Sequence, residues 1–250
     1  LLHTASQAGR GDQPWSQHQL LMSSPYLNLP STYVDALLGH GTAANGSATP
    51  TPIPKYPPVL LTSAPEANGF FGSGGIRSLI PAAYSAIEHE LRARAAAIDS
   101  EGSVVPRVRV LHYSRSGWTF HAKGLWLWPL DDITCDSKSN KDTSGHLAFQ
   151  RMLGAPGTTG ACRPPALVGG PVVSLIGSSN LGERSVCRDL ELSFILVTTC
   201  HKLQTELFFE AQALISYSNE ARTHGHSTHA ACIASSVTGR LVAKLMHSFL

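Results

Sequence analysis

Charge is scarce in this sequence: Asp, Glu, Lys and Arg make up 14% of its 250 residues, against roughly 25% in an ordinary soluble domain. The formal net charge is only +2. No run of Lys and Arg forms the basic stripe of a duplex-binding surface, so no nucleic-acid partner is expected. Paired cysteine motifs are missing as well. The five cysteines, Cys135, Cys162, Cys187, Cys200 and Cys232, are odd in number and contain no CxxC. That argues against a disulfide framework or a zinc ribbon and fits reduced thiols in an intracellular compartment. No apolar run approaches the roughly 18 residues that a spanning helix needs, so membrane contact is expected to be peripheral. Glycines 69, 72, 74 and 75 lack a following Walker Lys-Ser/Thr and read as a turn, not a nucleotide cradle. There is no internal repeat. The chain starts at Leu1 without a signal-peptide core or an Arg-rich transit helix, and the expectation is a fragment or processed chain whose N-terminal part carried any targeting signal.

What is present is enough to bury a sizeable core, as one large domain or two small ones. Residues 1–22 are polar and irregular and read as a connecting segment. Tyr26-Leu27-Asn28-Leu29-Pro30 looks like a strand end, and Ser31 is placed to cap a short helix through Leu38. Residues 39–58 have loop composition. Val59-Leu60-Leu61-Thr62 is a strand candidate, and Pro81 opens a helix through Ile98. Val104 to His112 alternates as a strand, and Trp118 to Trp128 is a second extended run. Residues 131–170 have no period and read as a surface insertion. Pro171–Ile176 and Leu190–Thr198 read as strands, Leu203–Tyr217 as a helix, and 221–250 as a tail of open structure. Strands alternating with helices imply an α/β layered fold.

The chemistry gathers in Gly117-Trp118-Thr119-Phe120-His121-Ala122-Lys123-Gly124. On an extended backbone residues two apart face the same side, so His121 and Lys123 project together. An imidazole serves as nucleophile or general acid/base near neutrality, and an ammonium beside it can hold phosphoryl oxygens. Downstream, Ile176-Gly177-Ser178-Ser179-Asn180 follows an apolar strand; its small residues would let a phosphate near the backbone, and the Asn180 amide supplies a neutral donor. Eleven residues further, Glu191 interrupts the apolar run Leu190–Ile195. A carboxylate there needs a partner, and the far nitrogen of His121 is the expected one.

HxK, then GSxN, then a Glu one strand on, resembles the half-site motif of the phospholipase D superfamily. More narrowly, LTSAPEANGFFGSGGIRSLIPAAYS at 61–85, SGWTFHAKGLWLW at 116–128 and IGSSNLGERSVCRDLELSFILVTT at 176–199 are similar to the eukaryotic phosphatidylglycerophosphate synthases. The resemblance covers about residues 23–220, which makes that stretch a phospholipase D-like catalytic half, a mixed β-sheet flanked by helices. The Asp often found five residues after the motif Lys is replaced here by Trp128, as in that synthase group. Only one HxK is present where the superfamily's site needs two.

The resemblance implies a metal-independent transfer without a cofactor. A phosphatidyl group would pass from CDP-diacylglycerol to glycerol 3-phosphate through a phosphohistidine. His121 would be the acid for CMP departure and the base for the incoming hydroxyl, with Lys123, Asn180 and Ser178 on the phosphoryl oxygens. Arg115, Arg184 and Arg188 would serve the outlying phosphates. A missing N-terminal HxK half, or a second copy, would complete the site at a membrane surface, on family grounds the mitochondrial inner membrane. Other readings are a cardiolipin or phosphatidylserine synthase, a phosphodiesterase, or an inactive half-site. Among the twelve histidines, His224, His226 and His229 with Cys232 match no closed zinc spacing and are read as a solvated loop. Phe70-Phe71 and the tryptophans read as core packing first and lipid-facing groups second.

Overall fold

The computed structural model describes residues 18–42, 48–50, 56–98, 106–129 and 169–220. Two short apolar runs build the centre of its sheet. Leu20-Leu21-Met22 and Val59-Leu60-Leu61 place apolar side chains on both sides of an extended backbone, the pattern of a strand covered on both faces, and all six are buried. They lie in β1 (His18–Ser23) and β4 (Val59–Ser63), which pair in parallel. β5 (Arg109–Tyr113) continues in parallel beside β4, and β9 (Ser218–Glu220) closes that edge antiparallel. On the other side β6 (Gly124–Pro129) runs antiparallel to β1, with Ser23 opposite Gly124 and Leu21 opposite Trp126. β7 (Val173–Gly177) and β8 (Ser193–Val197) extend the sheet antiparallel, giving the order β8-β7-β6-β1-β4-β5-β9. β2 (His40–Thr42) and β3 (Ala48–Pro50) form a separate antiparallel pair.

Alternation along β1 divides the core into two layers. Leu21 joins Val59, Leu61, Trp126 and Trp128 under Phe208, Ala211 and Ile215 of one helix, here numbered α4 (His201–Ile215). Leu20 and Met22 face the opposite side, where α1 (Ser31–Leu38) contributes Val34, Leu37 and Leu38, and α2 (Ile80–Ile98) contributes Leu91 and Ala95. The short α3 (Glu183–Cys187) follows β7. The result is a helix–sheet–helix sandwich, the α/β arrangement of a mixed sheet flanked by helices that was expected. Glu88 of α2 is buried but well partnered. It accepts a hydrogen bond from Arg92 Nε at 2.8 Å and lies 2.6 Å from Nε2 of His112 on β5. Burial alone would raise its pKa, but the hydrogen bonds and charges of His112 and Arg92 outweigh that and hold the carboxyl below its ordinary range.

Several local expectations change. His18–Ser23, all but its last residue inside the stretch read as a connector, is the strand between β4 and β6; five of its six residues are buried, on both faces, so there is no alternation to recognise. Pro30, not Ser31, is the N-cap residue of α1, and Ser31 is its first helical residue. The loop read over 39–58 contains β2 and β3. The extended run from Trp118 becomes a strand only at Gly124, and the strand read from Leu190 starts at Ser193. Residues 1–17, the insertion up to residue 168, and the 221–250 tail with His224, His226, His229 and Cys232 lie outside the described residues.

Candidate active site

Because β1, β4, β5 and β7 all point the same way, their carboxyl ends share one edge of the sheet, where open α/β sheets place ligands. The chain leaving β1 carries Ser23 to Asn28, and the chain leaving β7 carries Ser178 to Asn180. The segment entering β6 carries His121 and Lys123, and the segment entering β8 carries Glu191. The HxK segment is extended without being part of the ladder. Phe120 is buried in the core under α4 and Ala122 packs against the same cluster. Period-2 geometry therefore turns His121 and Lys123 the other way. The segment is pinned by Phe120 N donating to the Ala67 carbonyl at 2.9 Å and by Ser23 Oγ donating to the Ala122 carbonyl at 3.0 Å.

Lys123 Nζ donates to His121 Nδ1 at 2.9 Å and to the His121 carbonyl at 3.2 Å. An ammonium can only donate, so Nδ1 is the acceptor and the neutral ring carries its proton on Nε2. That nitrogen lies 3.5 Å from the Tyr26 hydroxyl. Partial burial, and then the Lys123 charge, lower the His121 pKa, which favours the neutral imidazole at neutral pH. Lys123 is also lowered, by desolvation, with the Glu191 carboxylate acting in the opposite direction. Glu191 is thus felt electrostatically by the motif lysine.

Its hydrogen bonds go elsewhere. Glu191 accepts from the hydroxyls of Ser178 and, at 2.9 Å, Ser185. The expected bond to the far nitrogen of His121 is not formed, because Lys123 occupies that nitrogen. Ser178, expected on a phosphoryl oxygen, instead joins Glu191 and receives the Leu192 amide at 3.1 Å. Asn180 is fixed through its backbone: its carbonyl accepts from Ser24 Oγ at 2.7 Å and its amide donates to Ser185 Oγ at 3.2 Å. The side-chain Oδ1 is buried without a hydrogen-bond partner within the protein. Leu181, next in line, sits at φ 56° with its amide on Ser179 Oγ, a left-handed non-glycine conformation costing about 1 kcal/mol that often marks functional turns. Gly177 answers to the neighbouring strand: an added Cβ would lie 2.4 Å from the Leu192 carbonyl oxygen.

The three arginines divide. Arg115 lies over the rings of Trp118 and Tyr217, at 4.1 and 4.5 Å. Arg184 pairs with Asp189 at 3.0 Å and acts on Tyr84 electrostatically. Arg188 ends α3, its amide on the Arg184 carbonyl. Sequence reasoning missed Ser185 and Tyr26; the first is a plain helical serine, and the second meets His121 across 95 residues of chain.

No protein-family model matches the chain. Among curated proteins it is 33% identical over 196 residues to the mitochondrial CDP-diacylglycerol–glycerol-3-phosphate 3-phosphatidyltransferase of Gallus gallus, covering 78% of this chain and 26% of that protein. The Homo sapiens protein of the same name is 32% identical with the same coverage. A probable CDP-diacylglycerol–glycerol-3-phosphate 3-phosphatidyltransferase of Dictyostelium discoideum is 30% identical, over 76% of this chain and 23% of that protein. The chain spans about a quarter of the length of these relatives. In fold it is similar to a crystal structure of phosphatidylserine synthase from Haemophilus influenzae. The TM-score is 0.51 with 14% identity, over 92% of this chain and 39% of that one. The chain is therefore related in sequence to the phosphatidyltransferases that its motifs resemble.

Proposed function

We propose, with that kinship as premise, that the chain forms one HxK half of a phosphatidyltransferase acting on CDP-diacylglycerol and glycerol 3-phosphate, giving phosphatidylglycerol phosphate and CMP. The observation that carries the reading is the 2.9 Å pair of His121 and Lys123, on the same sheet edge as the side-chain amide of Asn180 and the carboxylate of Glu191. An imidazole poised to move a proton beside donors suited to phosphoryl oxygens is the equipment that a phosphodiester exchange needs.

The balance of the reaction assigns the parts. A histidine of the second half attacks the phosphatidyl phosphorus; an N–P bond forms, the P–O bond to CMP breaks, and His121 gives the departing phosphate its proton. The primary hydroxyl of glycerol 3-phosphate then attacks, the N–P bond breaks, and His121 takes the hydroxyl proton. Lys123 links binding to this proton traffic. While its ammonium is on Nδ1 the ring is held neutral, and a bound phosphoryl oxygen would draw the ammonium away. Nδ1 would then be free to accept a proton beside new negative charge, making His121 a competent acid. Asn180 would donate to the same oxygens, while Arg184 on the adjoining α3 and Arg188 at its C-cap are placed for outlying phosphates. Arg115, already stacked between two rings, is the weakest of those candidates, and Ser178 acts through Glu191.

Two exposed features support the wider assembly. Among the described residues β8 has only β7 as a neighbour, and Phe194, Ile195 and Val197 are exposed along it, with Leu190 and Leu192 flanking Glu191. An open strand edge bearing apolar groups on both faces calls for cover. A second HxK half packed there would bring its histidine to the reacting phosphorus, in keeping with the much greater length of the relatives. Phe71 and Trp118 are exposed on the loops beside His121, suited to a lipid interface. No helix among the described residues is long and apolar enough to cross a membrane. Such a protein would act at the mitochondrial inner membrane. The test is product analysis with the full-length protein, CDP-diacylglycerol and labelled glycerol 3-phosphate. Phosphatidylglycerol phosphate and CMP are expected; transfer only to serine or phosphatidylglycerol, or hydrolysis alone, would replace this reading.

A further inference from the structure

We propose that Tyr26 is a positioning residue of this half-site: its hydroxyl steers the Nε2 edge of His121, and the Asn68-Gly69-Phe70 turn is shaped to seat that hydroxyl. The proposal rests on His121 being the reacting imidazole. The Tyr26 oxygen lies 3.5 Å from His121 Nε2, and the two rings meet edge to face, 5.8 Å apart at 88°. A separation of 3.5 Å is long for a hydrogen bond, as catalytic contacts commonly are until substrate tightens the site.

The phenol is held from its other sides. Its ring stacks on Tyr84 at 5.3 Å and leans on Phe70 at 5.8 Å. A Cβ on Gly69 would lie 3.0 Å from the Tyr26 hydroxyl and 3.7 Å from Thr119 Cγ2, closer to the hydroxyl than side chains normally approach. The turn is rigid in its own right. Asn68 Oδ1 accepts from the Phe70 amide at 3.0 Å, and the Ala67 carbonyl accepts from Phe120, which precedes His121. The glycine-rich stretch thus helps build a seat for the residue facing the imidazole.

With Nδ1 taken by Lys123, Nε2–H donates to the phenol oxygen. Once a bound phosphoryl oxygen has drawn Lys123 away and Nδ1 carries a proton, Nε2 can give up its own, and the phenol, kept protonated by burial, can donate back to the bare nitrogen. Either way the ring plane is kept. Among the described residues the titratable groups facing His121 are Lys123 and Tyr26, with Glu191 acting through Lys123.

The test is Tyr26→Phe in the full-length protein, read by kcat, KM and the ring 15N signals of His121 across pH. The expected result is a kcat about tenfold lower, the rate equivalent of one lost hydrogen bond, with little change in KM. The His121 midpoint should shift to lower pH, because an acceptor for Nε2–H is gone. Gly69→Ala, which displaces the hydroxyl while keeping it, should move the same signals in the same direction. A His121 titration unmoved in both variants overturns the proposal, even if thermal stability falls. Turnover that survives in His121→Ala would instead overturn the reading of the site, a different outcome from a silent Tyr26→Phe.

Discussion

Replacing Glu191 with Gln separates two ways a carboxylate can serve a histidine. In this structure the carboxylate accepts from Ser178 and Ser185 and reaches His121 only through the charge of Lys123. Hydrogen bonds to a charged group contribute about 1.5–3 kcal/mol each. The amide keeps one acceptor oxygen and turns its NH2 toward the other hydroxyl, so about 2 kcal/mol of stability should be lost. For catalysis, the variant removes the negative charge that favours protonated Lys123, so kcat/KM at neutral pH should fall about tenfold. A carboxylate that fixed the tautomer of His121 directly would cost far more, about 10⁴. The assay is kcat/KM alongside a thermal melt of the full-length variant. A loss near 10⁴ at unchanged stability would refute the indirect role. So would a variant indistinguishable from the parent in both measurements.

Three further outcomes follow from the same geometry. Glu88→Gln should lose about 2 kcal/mol at pH 7, since it strips the charge from two partnered bonds. The folded-state pKa of Glu88 is held below the ordinary 4.5. Its contribution is therefore complete above that value and disappears as pH falls through the folded one, so parent and variant should converge in denaturant melts at low pH. Lys123→Met removes the repelling charge beside Nδ1 and should move the His121 titration to higher pH in 15N spectra; a downward shift would contradict the pairing. Gly177→Ala puts a methyl 2.4 Å from the Leu192 carbonyl and should cost about 2 kcal/mol, with the largest rise in hydrogen exchange in β8.

The site was legible where a short motif on an extended backbone fixes direction. His121 and Lys123 meet because Phe120 and Ala122 are drawn into the core between them. Asn180 was legible from GSxN, but not that Ser24 and Ser185 would fix its backbone. Glu191 was legible as a carboxylate needing partners, while the choice of partners was not. Lys123 competes for Nδ1, and Ser178 and Ser185 supply two hydroxyls nearer in sequence. Among the strands, Val59–Ser63 was plain from its apolar run, whereas His18–Ser23 stayed hidden behind a polar context although it is flanked by β4 and β6. The run Leu190–Ile195 looked like core and is largely exposed, because what covers a sheet edge is decided by the rest of an assembly and not by the strand. Tyr26 illustrates the remaining limit: a contact across 95 residues leaves no local periodicity to read.

If His121 and Lys123 carry phosphatidyl transfer, as proposed, loss of either side chain must abolish it. His121→Ala and Lys123→Ala should be made in the full-length protein and assayed with CDP-diacylglycerol and labelled glycerol 3-phosphate, with circular dichroism to verify the fold. Turnover should fall by about a thousandfold or more in each variant, at an unchanged melting temperature. Near-normal turnover in either variant would contradict the proposal.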